Sequence, residues 1–317
     1  MIIIMDNKEI FCLRIKRIIR NNLPVIILEP LKRLYSDMRY VVLHVIPVKW
    51  HLKWRFKKQV GYSLNLDNPR TFNEKLQWLK LHDRNPLYTK MVDKYEAKKY
   101  VADVIGAEYI IPTLGVWNCF DEIDFNKLPK EFVLKCTHDS GSVVICWDKD
   151  KLDKKEAKKT LERGLRCNYY YSGSFEWPYK NVKPRIIAET LMKDKSGSEL
   201  TDYKIMCFNG HAECSFTCTG RNNSRGLHVT FYDRSWRKMP FDRHYPSEKE
   251  AAPKPQTYEK MLDLAEKLAI NLKFVRVDFY DVNGQIYFGE ITFFPGGGFE
   301  EFYPEIWDKK LGEWINL

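Results

Sequence analysis

A chain of 317 residues with 44% hydrophobic and 14% aromatic side chains can bury a substantial core, and it contains no internal repeat or low-complexity tract. Its formal net charge is +10, but residues 1–60 hold 13 Lys and Arg against four Asp and Glu, so the other 257 residues are close to neutral. That imbalance argues against nucleic acid as a partner of the main body, and no apolar run reaches the ~18 residues of a membrane span.

The N-terminus shows no signal peptide. Eight scattered cysteines without a CxxC pair fit reduced thiols in a cytoplasmic protein. In residues 8–60, the clusters "LRIKRIIR", "LKRLY" and "VKWHLKWRFKK" interleave Trp50, Trp54 and Phe56 with Lys49, Lys53, Arg55, Lys57 and Lys58. Apolar side chains with a cationic rim suit an anionic membrane surface, each cation adding about 1 kcal/mol. They equally suit a helix packed on the body with its charged face in water.

Further along, Asn68-Pro69 marks a turn, and Thr71 precedes Glu74 with capping-box spacing. A helix is expected there, carrying Leu76, Trp78, Leu79 and Leu81. One continuous second helix is expected over "YTKMVDKYEAKKYVADVIG", stopping near Gly106. "YIIPTLGVW" reads as a strand, and "KEFVLKCTHDSGSVVICWD" as a hairpin around a polar, flexible loop. "KLDKKEAKKTLERGLRCNYYY" is a charged surface helix and "PRIIAETLM" a buried strand. "DYKIMCFNGHAECSFTCTG" is another hairpin. Its Cys207, His211, Cys214 and Cys218 invite a zinc reading, but their spacing matches no common zinc motif. "PQTYEKMLDLAEKLAIN" is an amphipathic helix. Helices alternating with antiparallel hairpins point to an α+β or mixed α/β class.

The last hairpin, "VRVDFYDVNGQIYFGEITFFPGGG", places Arg276, Asp278, Glu290 and Thr292 among buried strand residues. A two-residue Asn283-Gly284 turn pairs Asp278 with Gly289 and sends Glu290 to the opposite face. A three-residue loop, Val282-Asn283-Gly284, pairs Arg276 with Glu290 and puts all four polar groups on one face. Gly284 supplies the left-handed position that such loops favour, so the three-residue register is expected. Two carboxylates on one buried face repel unless a cation lies between them. Hard oxygen donors point to Mg²⁺. An ion pair of Arg276 with Glu290, leaving Asp278 at a strand end, fills the same need.

Three further stretches carry polar groups of interest. In "FVLKCTHDSGS", Lys135 ends an apolar stretch ahead of Ser140-Gly141-Ser142, a small loop that can approach phosphate closely. It lacks the full GxxxxGK[ST] pattern and reads equally as a surface hairpin. Glu189, inside an apolar strand, can accept hydrogen bonds from a purine amine or ribose, or form a strand-end salt bridge. Lys94 reads as a helix lysine and Lys204 as a cation within a strand.

Together these stretches resemble the ATP-grasp superfamily, in particular the branch similar to the teichuronopeptide biosynthesis protein TupA. The likeness runs in order from about Gly61 to the C-terminus, and "FNEKLQWLK" and "YFGEITFFPGGG" are its most specific parts. The resemblance implies an ATP-grasp fold of two α+β lobes gripping ATP. Lys94 and Lys135 would reach the phosphates under the mobile loop Ser140-Gly141-Ser142. Glu189 and Leu191 would line the adenine–ribose pocket, with Lys204 another nucleotide contact. Asp278, Glu290 and Thr292 would carry Mg²⁺, although the superfamily commonly has Asn at the last position. Arg276 would face the transferring phosphoryl group, and Arg221 would bind the substrate carboxylate or the tetrahedral intermediate.

The expected divisions are a basic N-terminal segment (1–60), a helical region (61–130), a lid (131–190) and a catalytic region (191–317). The implied activity is that of a carboxylate–amine ligase in surface polysaccharide assembly, joining an amine to a sugar carboxylate beside the membrane. Rivals are a glycosyltransferase of the same pathway, which usually relies on a metal-binding Asp-x-Asp, a kinase that stops at phosphoryl transfer, and a non-catalytic membrane scaffold.

Overall fold

The computed structural model describes residues 41–194, 200–220 and 226–317. The chain divides into two compact units, Met1–Pro47 and Val48–Leu317, and the site lies in the second.

That unit opens with helix α1 (Val48–Val60). In α2 (Phe72–His82), Thr71 Oγ1 accepts the Glu74 amide at 3.2 Å while Glu74 Oε2 accepts the Thr71 amide at 3.2 Å. Such a capping box contributes about 1 kcal/mol. The expected second helix is two, α3 (Leu87–Val92) and α4 (Glu96–Ile105). Asp93 breaks it. One carboxylate oxygen accepts the Tyr95 amide at 2.9 Å, and the other accepts from Arg185 at 2.7 Å. A partner 92 residues away thus decides a local break. The break frees the Lys94 amide to donate to the Thr137 carbonyl at 3.0 Å.

Next come β1 (Thr113–Trp117), β2 (Phe132–Cys136), β3 (Val143–Cys146), α5 (Lys154–Leu165) and β4 (Ile186–Thr190). The strands form a fully antiparallel sheet in the order β1-β4-β2-β3, and α5 packs on it over Ala157 and Leu161. A five-stranded antiparallel sheet follows, built from β5 (Asp202–Phe208), β6 (His211–Thr219), β7 (His228–Asp233), β9 (Phe274–Val282) and β10 (Gln285–Thr292) in the order β10-β9-β5-β6-β7. The short strands β8 (Asp242–Arg243) and β11 (Phe302–Tyr303) pair with each other. Helix α6 (Tyr258–Leu268) and helix α7 (Ile306–Glu313) complete the unit. Val275, Val277 and Phe279, all fully buried, belong to the same core as Met261, Leu262 and Leu268 of α6. Each such side chain contributes about 1.5–3 kcal/mol. The two-residue period of a strand then turns Arg276 and Asp278 to the other face.

The last hairpin departs from the expected register in an informative way. Its turn is the two-residue Asn283-Gly284, with φ of 56° and 86°, the conformation that suits the twist of paired strands. By itself this would send Glu290 to the wrong face. A bulge at Gly289 restores it, so that Glu290 lies opposite Asp278, and Thr292 opposite Arg276. A Cβ at Gly289 would stand 3.2 Å from the Asp278 carbonyl oxygen and 3.1 Å from the Tyr280 ring, which explains the glycine. All four polar residues share one face, through a bulge rather than a longer turn.

Candidate active site

Arg276 anchors the polar face of β9. Its Nε donates to Asp278 Oδ1 at 2.7 Å, and its Nη2 donates to Asp278 Oδ2 at 2.8 Å and to Glu290 Oε1 at 2.6 Å. Lys204, opposite Asp278 on β5, donates to Asp278 Oδ2 and lies 3.5 Å from Asp202. Thr292 Oγ1 is 3.4 Å from Glu290 Oε1. Asp278 is 2% exposed, so it is no strand-end carboxylate. In this structure the cation between the two carboxylates is Arg276.

Burial pushes the Glu290 carboxyl up, but Arg276, Lys204 and Lys94 outweigh it and hold it down at about 2. Its side chain is 43% exposed, so water screens part of that pull. For Asp278, burial outweighs Arg276 and Lys204 and raises the carboxyl.

Glu290, Thr292 and Arg276 open onto a cleft of about 350 Å³, shared with Asp139 and Ser140 of the β2–β3 loop, Arg55 of α1, and Glu176 and Tyr179. Lys94 donates to the Asp139 carbonyl, and Ser142 Oγ to the Asp139 carboxylate, so the serine–glycine loop and Lys94 form one assembly. Gly141 has φ of 107° and open space where a side chain would stand. The Pro295–Gly297 stretch also lines the cleft. Its position is set by Lys80, which donates to the Gly297 carbonyl at 2.6 Å, and by Gln77, which donates to the Gly298 carbonyl at 2.6 Å. Burial lowers Lys80 to about 7, against the pull of Glu176.

Lys135 and Glu189 form a second cluster on the four-stranded sheet. Glu189 accepts from Lys135 at 2.6 Å and from Lys98 at 2.5 Å. These two lysines overcome the effect of burial and lower its carboxyl. Leu191 is half-buried just past the end of β4. Lys204, expected among the nucleotide contacts, sits instead inside the Asp278 cluster.

Arg221 lies outside the described residues, as do residues 1–40 of the basic segment. Sequence reasoning passed over Lys98, Asp139, Glu176 and Arg55 as site residues. Lys98 alone carried a signal, one helical turn after Lys94. Cys207 and Cys214 are buried in the β5–β6 hairpin, and no cluster of three or more His, Cys, Asp or Glu able to hold a metal occurs among the described residues. An Asp-x-Asp triplet is present as Asp148-Lys149-Asp150, but Asp148 Oδ1 caps a short turn by accepting the Asp150 amide at 3.2 Å.

Two antiparallel sheets, each with a buried acid–base cluster, and a polar cleft that joins the loop of one to the last hairpin of the other, make up the α+β ATP-grasp fold. A family model described as TupA-like ATPgrasp matches residues 74–316, and the chain belongs to that family. No curated protein matches it. Among solved structures it is similar to a D-alanine–D-alanine ligase from Bacillus anthracis complexed with ATP (18% identity, TM-score 0.37, covering 64% of this chain and 53% of that one). It is also similar to the ADP complex of purK, an N5-carboxyaminoimidazole ribonucleotide synthetase (16%, 0.42, 69% and 50%). A third is a D-alanine–D-alanine ligase from Helicobacter pylori (15%, 0.38, 77% and 69%). The match thus spans about half the length of the first two.

Proposed function

We propose that the protein is an ATP- and Mg²⁺-dependent carboxylate–amine ligase of surface polysaccharide assembly, joining an amino acid or amino sugar to a sugar carboxylate in the cytoplasm, beside the membrane. The observation that supports this reading best is the meeting of Glu290, Thr292 and Arg276 with the Ser140 loop in one cleft.

The donors fit a hard cation. Glu290 and Thr292 put hard oxygens into the cleft and leave room for phosphate oxygens and water, as Mg²⁺ sites usually do, and Glu290 is anionic at neutral pH. Glu290 and Thr292 would hold the ion, which supplies positive charge at the phosphoryl group, and Asp278, whose oxygens are taken by Arg276 and Lys204, would join them on releasing one of these partners. Arg276, fixed by Asp278 and Glu290, is pre-aimed at that charge and needs no reorganisation. Lys94 and Lys135 neutralise the phosphates. Glu189 and Leu191 take the adenine–ribose end. The loop Ser140-Gly141-Ser142 closes and keeps water from the acyl phosphate. That species forms when the substrate carboxylate oxygen attacks the γ-phosphorus and ADP leaves. The amine then attacks the acyl carbon, and inorganic phosphate departs with formation of the amide.

ADP release measured over pairs of uronic-acid sugars and amines tests the reading. Turnover should require Mg²⁺, a carboxylate and an amine together. ADP release without amine would make the protein a kinase. Binding of a sugar nucleotide without ATP would make it a glycosyltransferase. No Mg²⁺-dependent release with any pair would end the proposal.

A further inference from the structure

Helix α1 carries five Lys and Arg and no Asp or Glu, and its two faces differ. One face buries His51, Leu52 and Phe56. At about 100° per residue, Lys49, Trp50, Lys53, Trp54, Lys57 and Lys58 fall together on the opposite face, and all six are exposed. Trp50 and Trp54 are 60% and 51% exposed, one turn apart, with the Lys58 ammonium 5.4 Å from the Trp54 ring.

Neighbouring indoles within a ring of lysines match the interfacial zone of an anionic bilayer, where Trp rests at head-group level and Lys meets lipid phosphate. Among the described residues no helix is long and apolar enough to cross a membrane, so this contact would lie on the surface. The chain beyond residue 60 is close to neutral, so the positive charge is concentrated on this side of the sequence.

The buried face ties α1 to the cleft. His51 Nε2 meets the Gly173 carbonyl at 3.0 Å, and its ring packs edge-on against Phe175 at 5.1 Å. Arg55 lies over the Phe299 ring at 4.4 Å and lines the cleft beside Glu290.

We propose that α1 docks the protein on an anionic lipid bilayer through Trp50, Trp54 and its exposed lysines. Docking sets the mouth of the Glu290 cleft beside lipid-attached acceptors. This last consequence rests on the ligase reading; docking does not, because it is read without ATP.

The full chain should sediment with vesicles of phosphatidylglycerol and phosphatidylcholine at low salt, be released at high salt, and stay in solution with phosphatidylcholine alone. Lys53→Gln/Lys57→Gln should weaken partitioning about thirty-fold. Trp50→Ser/Trp54→Ser should weaken it without changing its salt dependence. These side chains are exposed, so an unchanged denaturation midpoint shows that each variant is folded. Loss of binding with ADP release retained separates docking from chemistry. Equal binding to neutral vesicles, no binding by the wild-type chain, or full binding by both folded double variants overturns the proposal.

Discussion

Each of the two sheets carries a buried acid–base cluster, and the two are unbalanced in opposite directions. On the five-stranded sheet Asp202, Asp278 and Glu290 meet Arg276 and Lys204, leaving one negative charge in excess. On the four-stranded sheet Glu189 meets Lys98 and Lys135, leaving one positive charge in excess. A low-dielectric surrounding favours whatever ion cancels such an excess. The first cluster therefore suits a cation and the second an anion such as phosphate. Access differs as well. Glu290 reaches the cleft at 43% exposure, whereas the Glu189 side chain is 7% exposed and closed in by its lysines. The first cluster meets a ligand mainly through a carboxylate, the second mainly through its lysines.

The largest effect should come from Glu290→Gln, which removes charge on the exposed side of the first cluster. ADP release should fall roughly 10²–10³-fold with a single cooperative unfolding transition kept at a lowered midpoint; near wild-type turnover would assign the chemistry elsewhere. Asp278→Asn should instead unfold more easily, by about 3 kcal/mol, because Arg276 and Lys204 lose the anion they share and keep only Glu290 and Asp202. Glu189→Gln should cost only about 2 kcal/mol, since Lys135 is 23% exposed and recovers hydration. Urea denaturation of both variants measures that difference, and equal losses would erase the contrast between the clusters.

A smaller effect is expected from Lys98→Met, which should raise KM for ATP roughly tenfold and leave kcat alone. A fall in kcat with KM unchanged would remove the second cluster from nucleotide binding. Smallest is the acid response. The carboxyl of Glu290 is lower in the fold, about 2, than its ordinary value of 4.5. Its ion pair is therefore fully stabilising above the ordinary value and lost as pH falls toward the folded one. The wild-type midpoint should drop between about pH 5 and pH 2, and Glu290→Gln should shallow that drop. Parallel curves for the two proteins would show that Arg276 does not hold this carboxylate in solution.

Local chemistry alone determined much of this protein. Thr71 and Glu74 lie three residues apart and cap α2 with no outside help, and two-residue alternation sorted Val277 from Asp278. The Asn209-Gly210 and Asn283-Gly284 turns mark two hairpins of the five-stranded sheet, and the motif order carried the family. Tertiary structure decided what depends on distant partners. Arg185 breaks the helix at Asp93 and so aims Lys94, while crowding by Tyr280 and the Asp278 backbone selects the bulge at Gly289. Lys98 reaches Glu189 from another element, and Arg55 enters the cleft from a helix whose other side looks outward. Capping and periodicity act within a turn of chain and can be read in order. Register, ion pairing and the walls of a cleft arise between residues tens to hundreds apart, where only the folded chain fixes who meets whom.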